Sequence, residues 1–287
     1  MNHDAKRSDM SSVAVIILTF NEEKNLPHAL GSVCGWANQV FVLDSFSTDR
    51  TLEVAKRFPC EIAQHRFESY GKQRNAALNL MPIEAEWVFF LDADERMTPK
   101  LKTEIDAVLA GSPRENGFFV RFRLMWMGRW VRRGYYPTWI LRLFRRAKAR
   151  CEDRSVNEHM VIEGEVGRLF GDIIHEDHNG LGRWVEKHNR YATREAAALL
   201  SNEDDGELDV SLWGSQAERK RWVKLRVWNR LPPLVRPMMY FSYRYILRGG
   251  ILDGSAGFSF HFMQALWFQT LIDMKFLETM REREESR

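Results

Sequence analysis

Residues Trp87–Pro99 read WVFFLDADERMTP, an apolar run that leads straight into an acidic cluster. Five apolar residues in succession, without polar alternation, are typical of a strand that is covered on both faces of a parallel sheet. The cluster is followed by Thr98 and Pro99, which suit the N-cap and the first position of a helix. The stretch therefore predicts a buried strand, an acidic turn and a new helix.

The same succession of strand and helix is predicted on the N-terminal side of this stretch. The segments VAVIIL (Val13–Leu18) and QVFVLD (Gln39–Asp44) have the pattern of buried strands, and a short strand is predicted near Cys60–Gln64. Helices are predicted over about residues 25–33, 51–58, 72–80 and 98–110. Strands that alternate with helices at this spacing indicate an α/β fold, a mostly parallel sheet flanked by helices.

Polar motifs follow three of the predicted strands: TFNEE at 19–23, DSFSTD at 44–49 and DADE at 92–95. Ligands of parallel α/β sheets lie beyond the carboxyl ends of the strands, so these motifs are expected to meet in one crevice. In an extended segment, Asp92 and Asp94 project to the same side. Two carboxylates are ligands that Mg²⁺ or Mn²⁺ prefers, above all beside a diphosphate. Helix capping and loop decoration are the alternatives for such a pair.

Composition bounds the remaining possibilities. With 287 residues, 45% of them hydrophobic, the chain is long enough for one large domain or a core domain with an appendage. A net charge of only +3 and the lack of a recognisable motif argue against nucleic-acid binding. Three cysteines without CxxC or metal-ligand spacing suit a reducing compartment, and the polar residues 1–12 suit a loose tail. We therefore expect a cytoplasmic protein.

Two further regions combine basic and aromatic residues. Residues 118–150 contain ten arginines or lysines and no acidic residue, which predicts a basic surface for an anionic partner, with a solvated face as the alternative. Beyond an acidic break at 201–209, residues 219–230 and Met238–Leu247 have the pattern of helices that lie in a membrane interface, with ordinary packing as the alternative. The longest apolar run, Phe258–Ile272, is too short to span a bilayer.

Four motifs in order carry a resemblance to a known family: VAVIILTFNEEKNLPHALGSV, VFVLDSFSTDRT, GKQRNAAL and WVFFLDADE. Together they resemble the inverting family 2 glycosyltransferases of the GT-A fold. The later motifs WILRLFRRAKAR, VNEHM, GRLFGDIIH and YRYILRGGILDGSAGF resemble the lipopolysaccharide core biosynthesis β-glucosyltransferase branch. The resemblance implies a GT-A domain over residues 13–180 with a Rossmann-like nucleotide-binding half. Residues 181–287 would form a C-terminal helical region that associates with a membrane.

The resemblance also implies roles for single residues. Asp44 matches an aspartate that accepts a hydrogen bond from uracil N3, and Asp49 either joins the nucleotide site or caps the next helix. Asp92 is expected to be shared between the ribose and the metal, directly or through a metal-bound water, and Asp94 to bind the metal itself, Mg²⁺ or Mn²⁺. His175 would complete the metal shell or touch phosphate, with a structural histidine as the alternative.

Further donor-site residues follow from the same motifs. In GKQRN, Arg74 or Lys72 would face the base or the diphosphate, with a solvated helix start as the alternative. Glu95 belongs either to the site or to a supporting salt bridge. The residues expected near the nucleotide from the first motif are Thr19, Asn21 and Glu22.

The catalytic base is expected in the motif VNEHM. An inverting displacement needs a base on the face opposite the leaving group, to take the proton of the acceptor hydroxyl. Glu158 is the expected base, with Asp153 as its rival and a surface-loop carboxylate as the alternative. Asn157 stands where family members often have histidine, so a role of that histidine has no counterpart in this chain.

The function implied is metal-dependent, inverting transfer of a sugar from a UDP-sugar, with UDP-glucose as the expected donor. The expected acceptor is a lipid-linked saccharide such as lipopolysaccharide inner core, reached from the cytosolic face of the inner membrane by peripheral contact with its anionic surface. One alternative is a polyprenyl-phosphate sugar synthase, whose nucleotide domain shares these motifs. Another is a non-catalytic, membrane-bound assembly protein with a degenerate nucleotide fold.

Overall fold

The structure is a computed structural model that describes residues 11–152, 160–201, 222, 228 and 231–285. The chain divides into two compact units. The first comprises residues 11–128, 136–152 and 160–179 of the described chain, and the second comprises residues 129–135 together with the described residues from 180 onward.

Eleven strands and eight helices are described. The strands are β1 (Ser11–Thr19), β2 (Ala37–Asp44), β3 (Glu61–Gln64), β4 (Trp87–Asp92), β5 (Glu95–Met97), β6 (Gly117–Trp126), β7 (Arg129–Trp130), β8 (Thr138–Arg145), β9 (Ala149–Cys151), β10 (Met160–Ile162) and β11 (Val166–His175). The helices are α1 (Leu26–Val33), α2 (Thr51–Ala55), α3 (Tyr70–Leu80), α4 (Pro99–Ala110), α5 (Gly180–Ser201), α6 (Val235–Ser242), α7 (Gly254–His261) and α8 (Phe268–Glu285).

The main sheet of the first unit has the strand order β3-β2-β1-β4-β8-β6-β11-β5. The pairings among β3, β2, β1 and β4 are all parallel, as the alternation of strands and helices predicts. Strand β8 then inserts antiparallel to both β4 and β6, and β5 pairs antiparallel with β11. The predicted α/β fold with a parallel nucleotide-binding half and a C-terminal helical region is confirmed, and its second half is a mixed sheet.

The central strands β1 and β4 are almost completely buried. Residues Val13–Ile17 are fully buried, and no residue of Trp87–Leu91 is more than 3% exposed. One face of these strands packs with Phe41 and Leu43 of β2 against Ala77 of α3. Because both faces are covered, the backbone at the end of β4 is held rigidly where the acidic cluster begins.

Helix α4 begins as its sequence predicts and is tied to β11. The hydroxyl of Thr98 accepts a hydrogen bond from the backbone N–H of Leu101 at 3.3 Å and donates one to the carbonyl of Asp172 at 2.7 Å. At Gly171 a Cβ atom would lie 2.4 Å from the Cα of Leu101, so only glycine allows the helix to approach this closely. Thr98 thus docks the helix onto the strand that ends in His175.

The second unit is mainly helical. Helices α5 and α8 pack through a small core of Ala192, Phe268 and Ile272. Arg236 of α6 forms a buried ion pair with Asp273 of α8, and its Nε donates to that carboxylate at 2.7 Å. Within the part of the chain that the structure describes, no helix combines the length and the apolar character needed to cross a membrane.

His261 is a fully buried histidine of the second unit. Its Nε2 lies 3.1 Å from the carbonyl oxygen of Arg133, and Gly134 and Gly250 pack so closely on the ring that a Cβ at either would come within 2.7 Å of it. Burial and then the positive charge of Arg244 lower the pKa of His261 to about 4. The imidazole is therefore neutral at physiological pH.

We expect His261 to make the stability of this unit depend on pH. Its folded pKa is below the unfolded value of 6.5, so the unfolded state binds more protons between pH 6.5 and pH 4. The free energy of unfolding should fall by about 1.4 kcal/mol per pH unit as the pH drops through this window. NMR titration of the His261 ring checks this prediction. The ring should still be neutral at pH 5, and a titration midpoint near pH 6.5 would contradict the prediction.

Candidate functional site

The loops that follow β1 and β2 are locked together by hydrogen bonds. Asn21, held at a φ of 56°, donates its backbone N–H to the hydroxyl of Ser47 at 2.8 Å and accepts a hydrogen bond from the N–H of Thr48 at 2.7 Å. The backbone N–H of Glu22 donates to Thr51 at 2.7 Å. Two of the predicted polar motifs therefore form one structure at the carboxyl edge of the parallel strands.

Asp44 lies at the centre of these loops and is fully buried. Its carboxylate accepts hydrogen bonds from the hydroxyl of Thr19 at 3.2 Å, the hydroxyl and N–H of Ser47 at 2.5 and 2.9 Å, and the amide of Gln64 at 2.9 Å. Four donors fill the acceptor sites of a carboxylate. Asp44 thus organises the loop, and its contact with uracil stays a prediction.

Asp49 and Glu22 also make contacts within the chain. Asp49 accepts hydrogen bonds from the N–H of Thr51 at 2.9 Å and from the N–H of Glu23 at 3.2 Å, so it supports the start of α2. The carboxylate of Glu22 accepts from Asn25 at 2.7 Å and from Asn179 at 3.0 Å. Through Asn179, the first motif is joined to the segment that follows β11.

The end of β4 carries an ion-pair cluster built on Arg142 of β8. One guanidinium nitrogen lies 2.5 Å from the carboxylate of Asp92 and 2.6 Å from that of Glu95. Glu95 also accepts a hydrogen bond from the backbone N–H of Asp92 at 2.9 Å, and Arg74 of α3 approaches Asp92 to 3.9 Å. Glu95 therefore has the role of the supporting salt bridge, and Arg142 fixes the orientation of Asp92.

The pKa values of the two carboxyl groups in this cluster, Asp92 and Glu95, shift in opposite directions. Burial raises the pKa of Asp92, but the charges of Arg142 and Arg74 outweigh it, so that this pKa is lowered overall. Burial, together with the negative charges of Asp92 and Asp94, raises the pKa of Glu95 to about 7 against the opposing effect of Arg142. Asp92, whose side chain is 39% exposed, is therefore the carboxylate that presents negative charge to the crevice.

Asp94 and His175 form a second pair in the same place. The Nδ1 atom of His175 lies 3.3 Å from a carboxylate oxygen of Asp94, and the ring of Phe122 packs on the imidazole at a centroid distance of 5.0 Å. Both side chains are mostly buried, at 7% exposure for Asp94 and 25% for His175. In the described residues, no group of three or more acidic, histidine or cysteine side chains has the arrangement of a complete metal site.

Of the other predicted residues, the structure describes Lys72 and Arg74 but not the two candidates for the catalytic base. Lys72 forms an ion pair with Glu68 at 2.8 Å, and both side chains are about half exposed, which is typical of a solvated helix start. Arg74, in contrast, is mostly buried beside Asp92. Glu158 and Asp153, the two candidates for the catalytic base, lie outside the described residues.

The basic residues of 118–150 are partly paired within the fold, and the anionic partner expected for this segment stays a prediction. Arg142 is 5% exposed, and Arg121 and Arg123 of β6 pair with Asp172 of β11 at 3.2 and 2.6 Å. Arg146 donates to the carbonyls of Ile83 and Leu78. The segment contributes β6, β7 and β8 to the main sheet, and acidic side chains that are distant in sequence pair with Arg121, Arg123 and Arg142. Five other basic residues of the segment are exposed: Arg129, Arg132, Arg133, Lys148 and Arg150.

Arg142 is the site residue that the sequence analysis missed. The pattern around it, TWILRLFRR, places a single charge between leucines in a strand. An arginine in the middle of an apolar strand indicates a buried ion pair, because such a charge is rarely buried without a partner. The composition of the whole segment hid this local signal.

Comparison with known proteins identifies the family. The family model described as glycosyl transferase family 2 matches residues 14–158, which contain every loop of the site up to β8 and end at Glu158 of the motif VNEHM. The chain belongs to glycosyl transferase family 2. It is a glycosyltransferase, and the crevice at the ends of β1, β2 and β4 lies within the family region.

Curated relatives of this glycosyltransferase cover most of the chain. The lipopolysaccharide core biosynthesis glycosyltransferase LpsC of Rhizobium meliloti is 27% identical over 258 residues, which are 86% of this chain and 85% of the relative. An uncharacterized glycosyltransferase of Rickettsia typhi is 24% identical over 203 residues, 67% of this chain and 69% of the relative. The chain is thus similar to a lipopolysaccharide core glycosyltransferase over nearly its whole length.

Solved structures similar to this glycosyltransferase include S. aureus TarS 1-349, which is 14% identical in sequence and has a TM-score of 0.48. The match covers 96% of this chain and 92% of the TarS chain. Glucosyl-3-phosphoglycerate synthase from Mycobacterium tuberculosis, in complex with Mn²⁺, UDP and glucosyl-3-phosphoglycerate, has a TM-score of 0.35 and 19% identity, and covers 42% of this chain and 46% of that chain.

Proposed function

We propose that the chain is a metal-dependent, inverting glycosyltransferase that transfers a sugar from a UDP-sugar to a lipid-linked saccharide. The observation that carries the proposal is the pairing of Asp94 with His175 beside Asp92 and Arg74, at the carboxyl end of a buried strand. This places acidic, imidazole and guanidinium groups together where an α/β sheet binds its ligand. Glucose is the sugar that we expect.

The residues present fit a divalent cation. Asp94 offers carboxylate oxygen and His175 an imidazole nitrogen, and a nucleotide diphosphate would supply further oxygens. Asp92 is held by Arg142, so we assign it to the ribose or to a metal-bound water rather than to the metal. A Mg²⁺ or Mn²⁺ ion bound here would act as a Lewis acid for the leaving group.

The protein's own residues would then position the donor. Arg74, next to Asp92, is placed to face the negative charge of the diphosphate. The loops built around Asp44 would receive the base and the ribose. The acceptor hydroxyl would attack the anomeric carbon from the face opposite the diphosphate, the bond to phosphate would break, and a carboxylate would take the proton.

We propose Glu158 as that carboxylate. Glu158→Gln is expected to lower kcat for transfer to a saccharide hydroxyl by about a hundredfold or more, with little change in donor affinity, because only proton removal is lost. Asp153→Asn is the matched control and should keep near wild-type kcat. Single-turnover transfer assays would check this, and the opposite ranking of the two variants would assign the base to Asp153.

The acceptor and the location are part of the proposal. Similarity to a lipopolysaccharide core glycosyltransferase over most of the chain supports a saccharide acceptor such as lipopolysaccharide inner core. We propose that the enzyme works peripherally at the cytosolic face of the inner membrane, where a lipid-linked acceptor presents its saccharide beside an anionic surface. A polyprenyl-phosphate sugar synthase is the alternative, and it would remain active as Glu158→Gln because a phosphate acceptor needs little base catalysis.

A screen of nucleotide sugars tests the proposal. The purified chain would be incubated with UDP-glucose, other UDP-sugars and GDP-sugars, with Mn²⁺ or Mg²⁺ and then with EDTA, and release of the nucleoside diphosphate would be measured. We expect release from a UDP-sugar that EDTA abolishes. Lack of release from every nucleotide sugar, together with no donor binding by calorimetry, would favour a non-catalytic protein.

A further inference from the structure

In the segment from residue 234 to residue 263 of the second unit, many large apolar side chains are exposed, whereas two arginines are buried. Of the 21 exposed large apolar side chains in the described residues, 11 lie here. Water-soluble surfaces rarely expose apolar groups in such density. The most exposed are Met238, Ile246, Leu247, Ile251 and Leu252, with 52–77% of their surface accessible.

Two arginines of the same segment point inward. Arg236 and Arg244 are 4% and 8% exposed. Arg236 is paired with Asp273, and Arg244 donates to the hydroxyl of Tyr240 at 2.5 Å and lies 4.6 Å from the ring centroid of Tyr135. An arrangement that buries arginines and exposes methionine, isoleucine and leucine is unfavourable in water and suits an apolar environment.

Aromatic contacts join the helical elements that carry the exposed side chains. Phe258 of α7 lies 5.7 Å from Tyr245 and 6.5 Å from Phe241, measured between ring centroids, so α7 packs beside α6 and the π-helical segment Tyr243–Leu247 that continues it. Phe262 follows Phe258 at 5.9 Å. We call this surface, formed by the exposed side chains of residues 234–262, the apolar face.

The exposed charge on the segment that forms the apolar face is basic. Among residues 234–263, all of them described, Arg248 is the charged side chain that is exposed. It donates to the hydroxyl of Tyr243 at 3.2 Å. Asp253 is partly buried and accepts a hydrogen bond from the backbone N–H of Arg133 at 2.7 Å. A tyrosine and an arginine beside exposed aliphatic side chains match the boundary between acyl chains and phosphate headgroups.

We propose that the apolar face inserts into the headgroup and acyl-chain boundary of an anionic phospholipid membrane. The side chains of α6 and of the turn at Ile251 and Leu252 enter the acyl region, while Arg248 pairs with lipid phosphate. This inference rests on the proposed function, because a lipid-linked acceptor requires the enzyme to reach a membrane. A second copy of the chain is the competing occupant of this face, and the experiment below distinguishes it from a membrane.

Vesicle binding by the full chain tests the proposal. Vesicles of phosphatidylglycerol and phosphatidylethanolamine, and separately of phosphatidylcholine, would be sedimented with wild type and with the double variant Ile246→Glu, Leu247→Glu. We expect wild type to prefer the anionic vesicles and the double variant to bind at least about tenfold more weakly, because two carboxylates enter the apolar layer. Arg248→Gln should lose about fivefold, and only on anionic vesicles.

Leu80→Glu provides the matched control, since Leu80 is a leucine of the first unit that is 56% exposed. This variant should bind vesicles like wild type, and all variants should release UDP from a donor sugar at the wild-type rate. Absence of vesicle binding by wild type would overturn the inference. So would a dimer in light scattering that the double variant dissociates without any effect on vesicle binding. Because the assay contains no nucleotide sugar, it succeeds or fails independently of the proposed reaction.

Discussion

Asp94→Asn is expected to reduce kcat/KM for sugar transfer by about a thousandfold or more while the protein stays folded. The carboxylate of Asp94 is the group that we propose to hold the cation with His175. Asparagine keeps the size of the side chain but removes its charge, so the cation would be lost and the leaving diphosphate would no longer be stabilised. Transfer rates measured over a range of Mn²⁺ concentrations check this.

The control for this prediction is Asp106→Asn. Asp106 lies on α4, where its carboxylate accepts hydrogen bonds from the indole of Trp36 at 3.0 and 3.1 Å. The substitution is chemically the same but lies outside the crevice, so wild-type transfer is expected. An Asp94→Asn enzyme that retained wild-type dependence on Mn²⁺ would show that the cation is bound elsewhere.

Arg142→Met is expected to have the largest effect on stability, lowering the free energy of unfolding by about 3–5 kcal/mol. The buried guanidinium holds the buried Glu95 and the partly exposed Asp92, and its removal leaves both carboxylates without their main partner. Their mutual repulsion would also turn Asp92 away from the crevice. Urea denaturation would give the stability, and calorimetry of UDP binding would show whether the donor site survives.

Two further variants separate the causes. Lys148→Met breaks an exposed ion pair with Glu163, whose atoms are 3.3 Å apart, and should cost less than about 1 kcal/mol. Arg142→Lys keeps the charge but lacks a second terminal nitrogen such as Nη1 of Arg142, which lies 3.5 Å from Asp92, so an intermediate loss is expected. Equal stability of Arg142→Met and Lys148→Met would refute the structural role of Arg142.

The fold could be predicted because its signals are local. The apolar runs of β1, β2 and β4 indicate buried strands by themselves, and Thr98 with Pro99 marks the start of α4 without knowledge of any other element. The placement of β8 between β4 and β6 could not be predicted in this way. That placement depends on the pairing of β8 with β4, for example of Trp87 with Arg145, which are distant in the sequence, and no local pattern reports such a pairing.

The site was predictable in its residue types and less so in its contacts. DADE was expected to bring acids to the crevice, and Asp92 and Asp94 do lie there beside Arg74 and His175. The different roles of Asp92 and Asp94 depend on Arg142, which lies on a strand that is distant in the sequence. The composition of the segment suggested that Arg142 lies on the surface, whereas in the fold Arg142 is buried together with its partners.

The most direct test of the central claim is calorimetry of UDP binding in the presence and absence of Mn²⁺, with wild type and Asp94→Asn compared. We predict that wild type binds UDP at least about tenfold more tightly with Mn²⁺, a difference of about 1.4 kcal/mol, and that Asp94→Asn loses this difference. UDP binding that does not change with Mn²⁺ in wild type, or that changes equally in both proteins, would contradict the account.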